Sequence, residues 1–432
     1  MLRINRMKIK PNREQALIAL FLLVLAGCAG RPLMPTPDLY AEGIREPFAA
    51  LNPELRTSQV DLLYATDRLP EPAGDGELSY GYGRSLSLAF GSALVEIGTD
   101  LSWEQLAQES RRRERSGGLA LRLGKVTELS RFPTAPYPVT SEAWALDPLV
   151  VEERERAMVR LQKEVERRLA LTPRKEVFLF VHGYNNDFED AVFTQAELWH
   201  FLGREGVPMI FSWPAGRGGL GGYAYDRESG EFSIFHFKEL LRTLGSLPEL
   251  DAVNILAHSR GTDVTVTTLR ELIIESAAAG EDPLETYRIR NLVLAAADLD
   301  MEVFSQRIIA ERLGRGIGQV TIYTSIGDKA ISASEMLFGS KRRMGRVAWS
   351  EMERELKAVV EPELTVIEKV DFVEHKGKAE FIGHGYFLNN PTASSDLILV
   401  LRYRLAPGTE QRPLKERAPH FWVLEDGYLI RD

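Results

Sequence analysis

Cysteine is nearly missing: the 432 residues hold one, Cys28. That excludes a disulfide framework and a cysteine-based zinc cluster. Positive charge is short as well, with 53 Lys and Arg against 62 Asp and Glu and a formal net charge of −9, which argues against nucleic acid as the main partner. Membrane-length apolar runs are lacking. The run Ala16–Ala26 has 11 residues, too few for a stable transmembrane helix. No internal repeat is visible. What remains, 44% apolar and 27% charged residues, suits a globular protein with a sizeable core rather than a disordered chain, a collagen or a coiled coil.

The short apolar run has its own meaning. Arg3, Arg6, Lys8, Lys10 and Arg13 precede it, and Gly27 and Cys28 close it, the layout of a secretory signal. The tetrapeptide Leu25-Ala26-Gly27-Cys28 resembles the lipobox of bacterial lipoproteins, in which the Cys is acylated and becomes the new N-terminus. Residues 1–27 are therefore expected to be a lipoprotein signal peptide, with Cys28 as the membrane anchor. Their five positive charges and Glu14 make a net +4, so the mature chain carries −9 minus 4, or −13. Ala29 stands where lipoproteins held in the inner membrane carry Asp, so the periplasmic face of the outer membrane is expected in a Gram-negative source. Residues 28–58, with Pro32, Pro35, Pro37, Pro47 and Pro53, read as a tether.

The rest, 59–432, reads as one catalytic body: an N-terminal β-rich portion and insertion over 59–150, a core over 175–403 and a C-terminal extension over 404–432. The run Val60–Thr66 is β-like, and two short β-like pieces follow within Ser85–Gly98. The charge run Arg111–Arg115 reads as a solvated face, and Met158, Leu161, Val165 and Leu169 give a helix over Val151–Leu171 one apolar face. From Lys175 onward apolar strands (Glu176–Val181, Pro208–Ser212, Ala252–Ala257, Asn291–Ala296, Gln319–Thr324, Leu364–Phe372) alternate with helical patterns (Phe188–Leu202, Phe232–Leu244, Thr262–Ala279, Met301–Leu313, Trp349–Val359). This alternation predicts an α/β fold, a mostly parallel sheet with helices on both faces and functional groups at the strand ends. Phe421–Leu424, a Glu-Asp-Gly turn and Tyr428–Ile430 predict a terminal hairpin.

Two strand ends carry chemistry. After Val253–Ala257 comes His258-Ser259-Arg260-Gly261-Thr262, running into a helix. A serine at a sharp strand-to-helix turn projects its Oγ from the sheet, with the next N–H pointing into the same space. Ala257 stands where the G-x-S-x-G pattern has its first glycine and is still small. After Phe178–Val181 comes His182-Gly183-Tyr184, where a glycine lets the backbone approach a developing oxyanion. The backbone N–H groups of Tyr184 and Arg260 are the expected donors, and His182 braces the loop. A base and its acid are expected after the serine. Flanking glycines let His384 reach across a cleft, whereas His375 reads as part of a polar turn and His258 as packing under the elbow. Asp328, after Ile326-Gly327, is the expected acid. Asp298 is the alternative, although Asp298-Leu-Asp300 also stands where a helix at Met301 needs an N-cap. The Gly-rich stretch Gly216–Gly222, with Tyr223 and Tyr225, reads either as a rim controlling access or as a linker.

The segments Tyr64–Arg68, Val181–Asn186, Phe211–Pro214, Ala257–Gly261, Leu294–Asp300, Tyr323–Ser325 with Asp328, and Gly383–Phe387 together resemble a bacterial family of α/β-hydrolases known mostly as uncharacterised esterase/lipase-like proteins. The resemblance is collinear over about residues 60–403. Arg260 stands where the family commonly has Met, and Gly385 where it often has Ser. The resemblance implies an α/β-hydrolase fold and serine hydrolysis without metal or organic cofactor. Ser259 would attack an acyl carbonyl, His384 would serve as base and then acid, and Asp328 would orient the imidazole. A carboxylic ester, small-molecule or lipid, is the expected substrate; amides and thioesters share the machinery. The rival from another class is a catalytically silent envelope lipoprotein using the fold for binding or structure.

Overall fold

The computed structural model of the chain describes residues 31–72, 74, 76–139, 145–309, 311, 313–338, 342–347, 369–377 and 383–430. The expected signal peptide, Cys28, the helix expected over Trp349–Val359 and residues 364–368 of the sixth expected strand lie outside the described residues. The strands are β1 (Arg31–Pro32), β2 (Gln59–Pro72), β3 (Leu78–Ile97), β4 (Ala120–Arg131), β5 (Glu176–Val181), β6 (Val207–Ser212), β7 (Ala252–His258), β8 (Ile289–Ala295), β9 (Gln319–Thr324), β10 (Val370–His375), β11 (Lys415–Ala418) and β12 (Phe421–Leu424). They form one 12-stranded sheet in the order β1-β4-β3-β2-β6-β5-β7-β8-β9-β10-β12-β11. Pairing is parallel from β2 through β12 and antiparallel at both margins.

The central strands are apolar along their whole length because both faces are covered. In β5, Val177, Leu179 and Val181 enter the core on one face and Phe178 and Phe180 that on the other, the period of two that a strand imposes. The first face carries helices Pro148–Leu169, Gly219–Gly245 and Gly261–Ala279, and the second carries Phe188–Phe201 and Pro391–Leu401. Chain direction explains the division. The β5-to-β6 crossover steps one way along the sheet and the β6-to-β7 crossover steps back past β5, so right-handed connections put their helices on opposite faces. In sheets of this kind functional groups gather beyond the strand ends at such a reversal, here the ends of β5 and β7.

Several expectations need correction. The Pro-rich stretch expected to be a tether is packed from Arg31 on. β1 pairs with β4, and Leu33, Met34, Leu39, Tyr40, Phe48 and Leu51 are buried between its prolines. The charge run Arg111–Arg115 is exposed at Arg112, Arg113 and Glu114, as a solvated face should be, but it also clasps this stretch. Arg115 donates to the Leu33 and Met34 carbonyls at 2.9 and 2.7 Å, Arg113 meets Asp38 at 2.9 Å, and Arg111 bonds Glu46. The two short β-like pieces are one 20-residue strand, β3. The Gly-rich stretch ends as the first turn of the 27-residue helix Gly219–Gly245. Phe421–Leu424 is a strand, but it pairs with β10 and β11 rather than with residues 428–430. Among the described residues no helix is long and apolar enough to cross a membrane.

Candidate active site

Ser259 sits at the end of β7 with φ +51°, in the left-handed region that a non-glycine residue occupies only where surrounding contacts hold it. Those contacts are all made by its backbone. Its N–H donates to the Ala295 carbonyl at 3.0 Å, and its carbonyl accepts from the N–H groups of Thr262 (3.1 Å) and Asp298 (3.3 Å). The two nearby glycines have steric reasons. A Cβ on Gly183 would lie 2.7 Å from the Ser259 Cβ, so the loop after β5 abuts the elbow directly. On Gly261 it would lie 2.2 Å from the His182 carbonyl oxygen and 2.8 Å from that of Val181, both backbone atoms that cannot turn aside. Gly261→Ala is therefore expected to destabilise the protein by about 1–3 kcal/mol. A melting temperature equal to that of the parent would contradict this.

The loop after β5 is held by buried polar groups. Arg68, fully buried within β2, donates to Ser212 Oγ (2.8 Å) and to the carbonyls of Ala215 (2.7 Å) and Asn186 (2.9 Å). It also reaches His182 Nε2 at 3.2 Å. Because Arg is only a donor, Nε2 accepts and Nδ1–H donates to the Gly183 carbonyl at 3.0 Å. Burial, then the Arg68 charge, pushes His182 down to about 3, so it stays neutral as a brace stacked on Trp213. Asp226 Oδ2 accepts from the N–H groups of Asn185 (3.0 Å) and Gly216 (3.3 Å). Among the described residues no hydrogen bond takes the N–H of Tyr184 or of Arg260, the two expected oxyanion donors.

His384 and Asp328 come together from the loops after β10 and β9. His384 Nδ1 and Asp328 Oδ2 are 2.8 Å apart, with the carboxylate fully buried. Asp328 Oδ1 accepts from the N–H groups of Ala330 and Ile331, both at 3.0 Å, so the carboxylate also caps the helix Lys329–Phe338. His258 ties this pair to the elbow. Its ring lies 4.7 Å from that of His384, and its Nε2 is 3.3 Å from the His384 carbonyl oxygen. Burial, then the neighbouring His384, holds His258 well below the usual histidine range, so it acts as a neutral prop.

The Asp298 carboxylate has partners other than His384. Its Oδ1 accepts from Ser334 Oγ at 2.7 Å and lies 3.5 Å from Arg343 Nη1, while its Oδ2 accepts from the Tyr223 hydroxyl. The helix-capping role weighed for it belongs to Asp300, whose Oδ1 accepts from the N–H groups of Glu302 and Val303. His375, expected in a polar turn, ends β10 and is buried, stacked on Tyr386 at 4.9 Å. The Arg260 side chain is buried and pairs with Asp263 in the first turn of its helix. Residue-by-residue reading missed the roles of Arg68 and Asp226 and the bond of Tyr223 to Asp298. Arg68 was findable as a charged residue inside the β-like stretch that continues the run Val60–Thr66.

A sheet reversing at β5, a serine elbow after β7 and functional loops at successive strand ends define an α/β-hydrolase. The chain belongs to the family described as alpha/beta hydrolase of unknown function (DUF900), whose model matches residues 157–402. An esterase of Pyrobaculum calidifontis, solved in a monoclinic form, is similar at 12% identity over 62% of this chain and 99% of its own, with a TM-score of 0.27. No curated protein matches the chain.

Proposed function

We propose that this hydrolase is a serine carboxylesterase working through an acyl-enzyme on Ser259. The observation that carries the reading is the 2.8 Å contact of His384 Nδ1 with Asp328, on a histidine whose ring is propped against the residue preceding Ser259. In this scheme His384 Nε2 takes the Ser259 proton as Oγ attacks the ester carbonyl, and the N–H groups of Tyr184 and Arg260 receive the oxyanion. His384 then protonates the departing alcohol, and water resolves the acyl-enzyme by the same steps in reverse. Asp328 stabilises the imidazolium throughout. A fluorophosphonate tests the scheme by adding covalently to a competent serine. Labelling that maps to Ser259, with turnover of p-nitrophenyl esters, supports it. A folded protein that is neither labelled nor active would instead be the silent member of the fold.

Cys28 completes the proposal as a lipidated anchor holding the enzyme on a membrane, at the periplasmic face of the outer membrane in a Gram-negative cell. Support comes from the lipobox-like Leu25–Cys28 and from its holding the sole cysteine. Because the chain is packed from Arg31, only Ala29 and Gly30 intervene between Cys28 and the folded body. At no more than about 3.6 Å per residue, such a link leaves the body on the bilayer surface. Cys28→Ser is expected to move the protein from the membrane to the soluble fraction or to block its maturation. An unchanged membrane-bound product of mature size would refute the anchor.

A further inference from the structure

We propose that Tyr223, latched to Asp298, forms a bridge over the nucleophile that restricts the site to esters of small acyl groups. The inference rests on Ser259 being the nucleophile and adds the substrate class. Strand order supplies the geometry. β7, which carries Ser259, lies between β5 and β8. Tyr184 follows β5 and Asp298 follows β8. The Tyr223 ring packs 5.1 Å from that of Tyr184, and its hydroxyl donates to Asp298 Oδ2. The line Tyr184–Tyr223–Asp298 therefore spans the end of β7, and Ser259 beneath it is only 5% exposed.

Both ends of the bridge are fixed. Asp298 is held by Ser334 and Arg343, and its own N–H donates to the Ser259 carbonyl at 3.3 Å, so the latch acceptor is built into the elbow. At the other end the Tyr184 hydroxyl donates to the Gly219 carbonyl at 2.9 Å, tying the start of the Tyr223 helix to the loop after β5. Asp226 fastens the stretch leading into that helix to the same loop. Burial, then the Asp298 charge, pushes Tyr223 up to about 12, which keeps the hydroxyl protonated as the donor. A tyrosine held by its ring on one side and its hydroxyl on the other excludes bulk that a loop with free ends would yield to.

The test uses two fluorophosphonates with the same leaving group, one carrying an ethyl and one a dodecyl chain, and follows the rate of Ser259 labelling by intact mass. The native protein is expected to react with the ethyl probe faster by about tenfold or more. Tyr223→Ala should close that gap to about threefold by speeding the dodecyl reaction, and Tyr223→Phe, which keeps the ring and loses the latch, should fall between. Equal rates for the two probes on the native protein, or an unchanged ratio in both variants, would overturn the bridge while leaving the nucleophile intact. Failure of both probes to label Ser259 in the folded native protein would overturn the nucleophile and the bridge with it.

Discussion

Ser259→Ala is expected to lower kcat for p-nitrophenyl esters by about 10⁴-fold or more, some 5 kcal/mol of barrier, with an unchanged melting temperature. The two halves of this expectation have separate grounds. Loss of Oγ removes the atom proposed to form the acyl-enzyme, and the next hydroxyl along the chain, that of Thr262, is bonded to the Ser259 carbonyl at 2.6 Å. Stability should survive because the bonds holding the elbow use the Ser259 backbone, which alanine retains. The left-handed φ of +51° is carried by those bonds as well. Turnover within about tenfold of the parent, roughly 1.4 kcal/mol, would mean that another group does the chemistry. A large fall in melting temperature would mean that Oγ holds the turn together.

The parts of the fold readable from sequence are those where one local rule decides the outcome. Strands β5 and β9 match their expected bounds because a doubly covered strand is an apolar run whatever lies beside it. The strand-to-helix turn at Ser259 was readable because the small residues that such a turn needs are sequence neighbours. Long-range pairing set the rest. The segment 31–58 has a linker's proline content, yet it packs because Leu33, Met34, Leu39, Tyr40, Phe48 and Leu51 find apolar partners far along the chain and β1 pairs with β4, with Arg111, Arg113 and Arg115 bonded to it from more than fifty residues away. Gly219, Gly221 and Gly222 are poor helix formers, and their helical turn is tied down from outside the local pattern by Tyr184, which donates to the Gly219 carbonyl, and by Asp298, which accepts from the Tyr223 hydroxyl. The latch to Asp298 joins residues 75 apart. Chain order alone could not show which carboxylate His384 would meet.

Asp328→Asn should lose about 10⁴-fold in kcat while keeping the fold, and the reason lies in which oxygen does what. Oδ1 caps the helix by accepting from two N–H groups, while Oδ2 faces His384 Nδ1. Asparagine has one oxygen. Turning its NH₂ toward the helix would set two donors against two donors, so the carbonyl takes the cap and the NH₂ faces His384. Nδ1 must then accept, the ring proton moves to Nε2, and the nitrogen needed to take the Ser259 proton is already occupied. The cap survives, so stability changes little. Asp298→Asn keeps an acceptor for Ser334 but removes the charge facing Arg343, and with it the acceptor for the Tyr223 hydroxyl. Its expected cost is about 1–3 kcal/mol of stability and less than tenfold in kcat for a small ester. Ester kinetics and thermal melts of the two variants separate the assignments. If Asp298→Asn is folded and inactive while Asp328→Asn turns over normally, the acid belongs to the loop after β8, and His384 must leave Asp328 to be used.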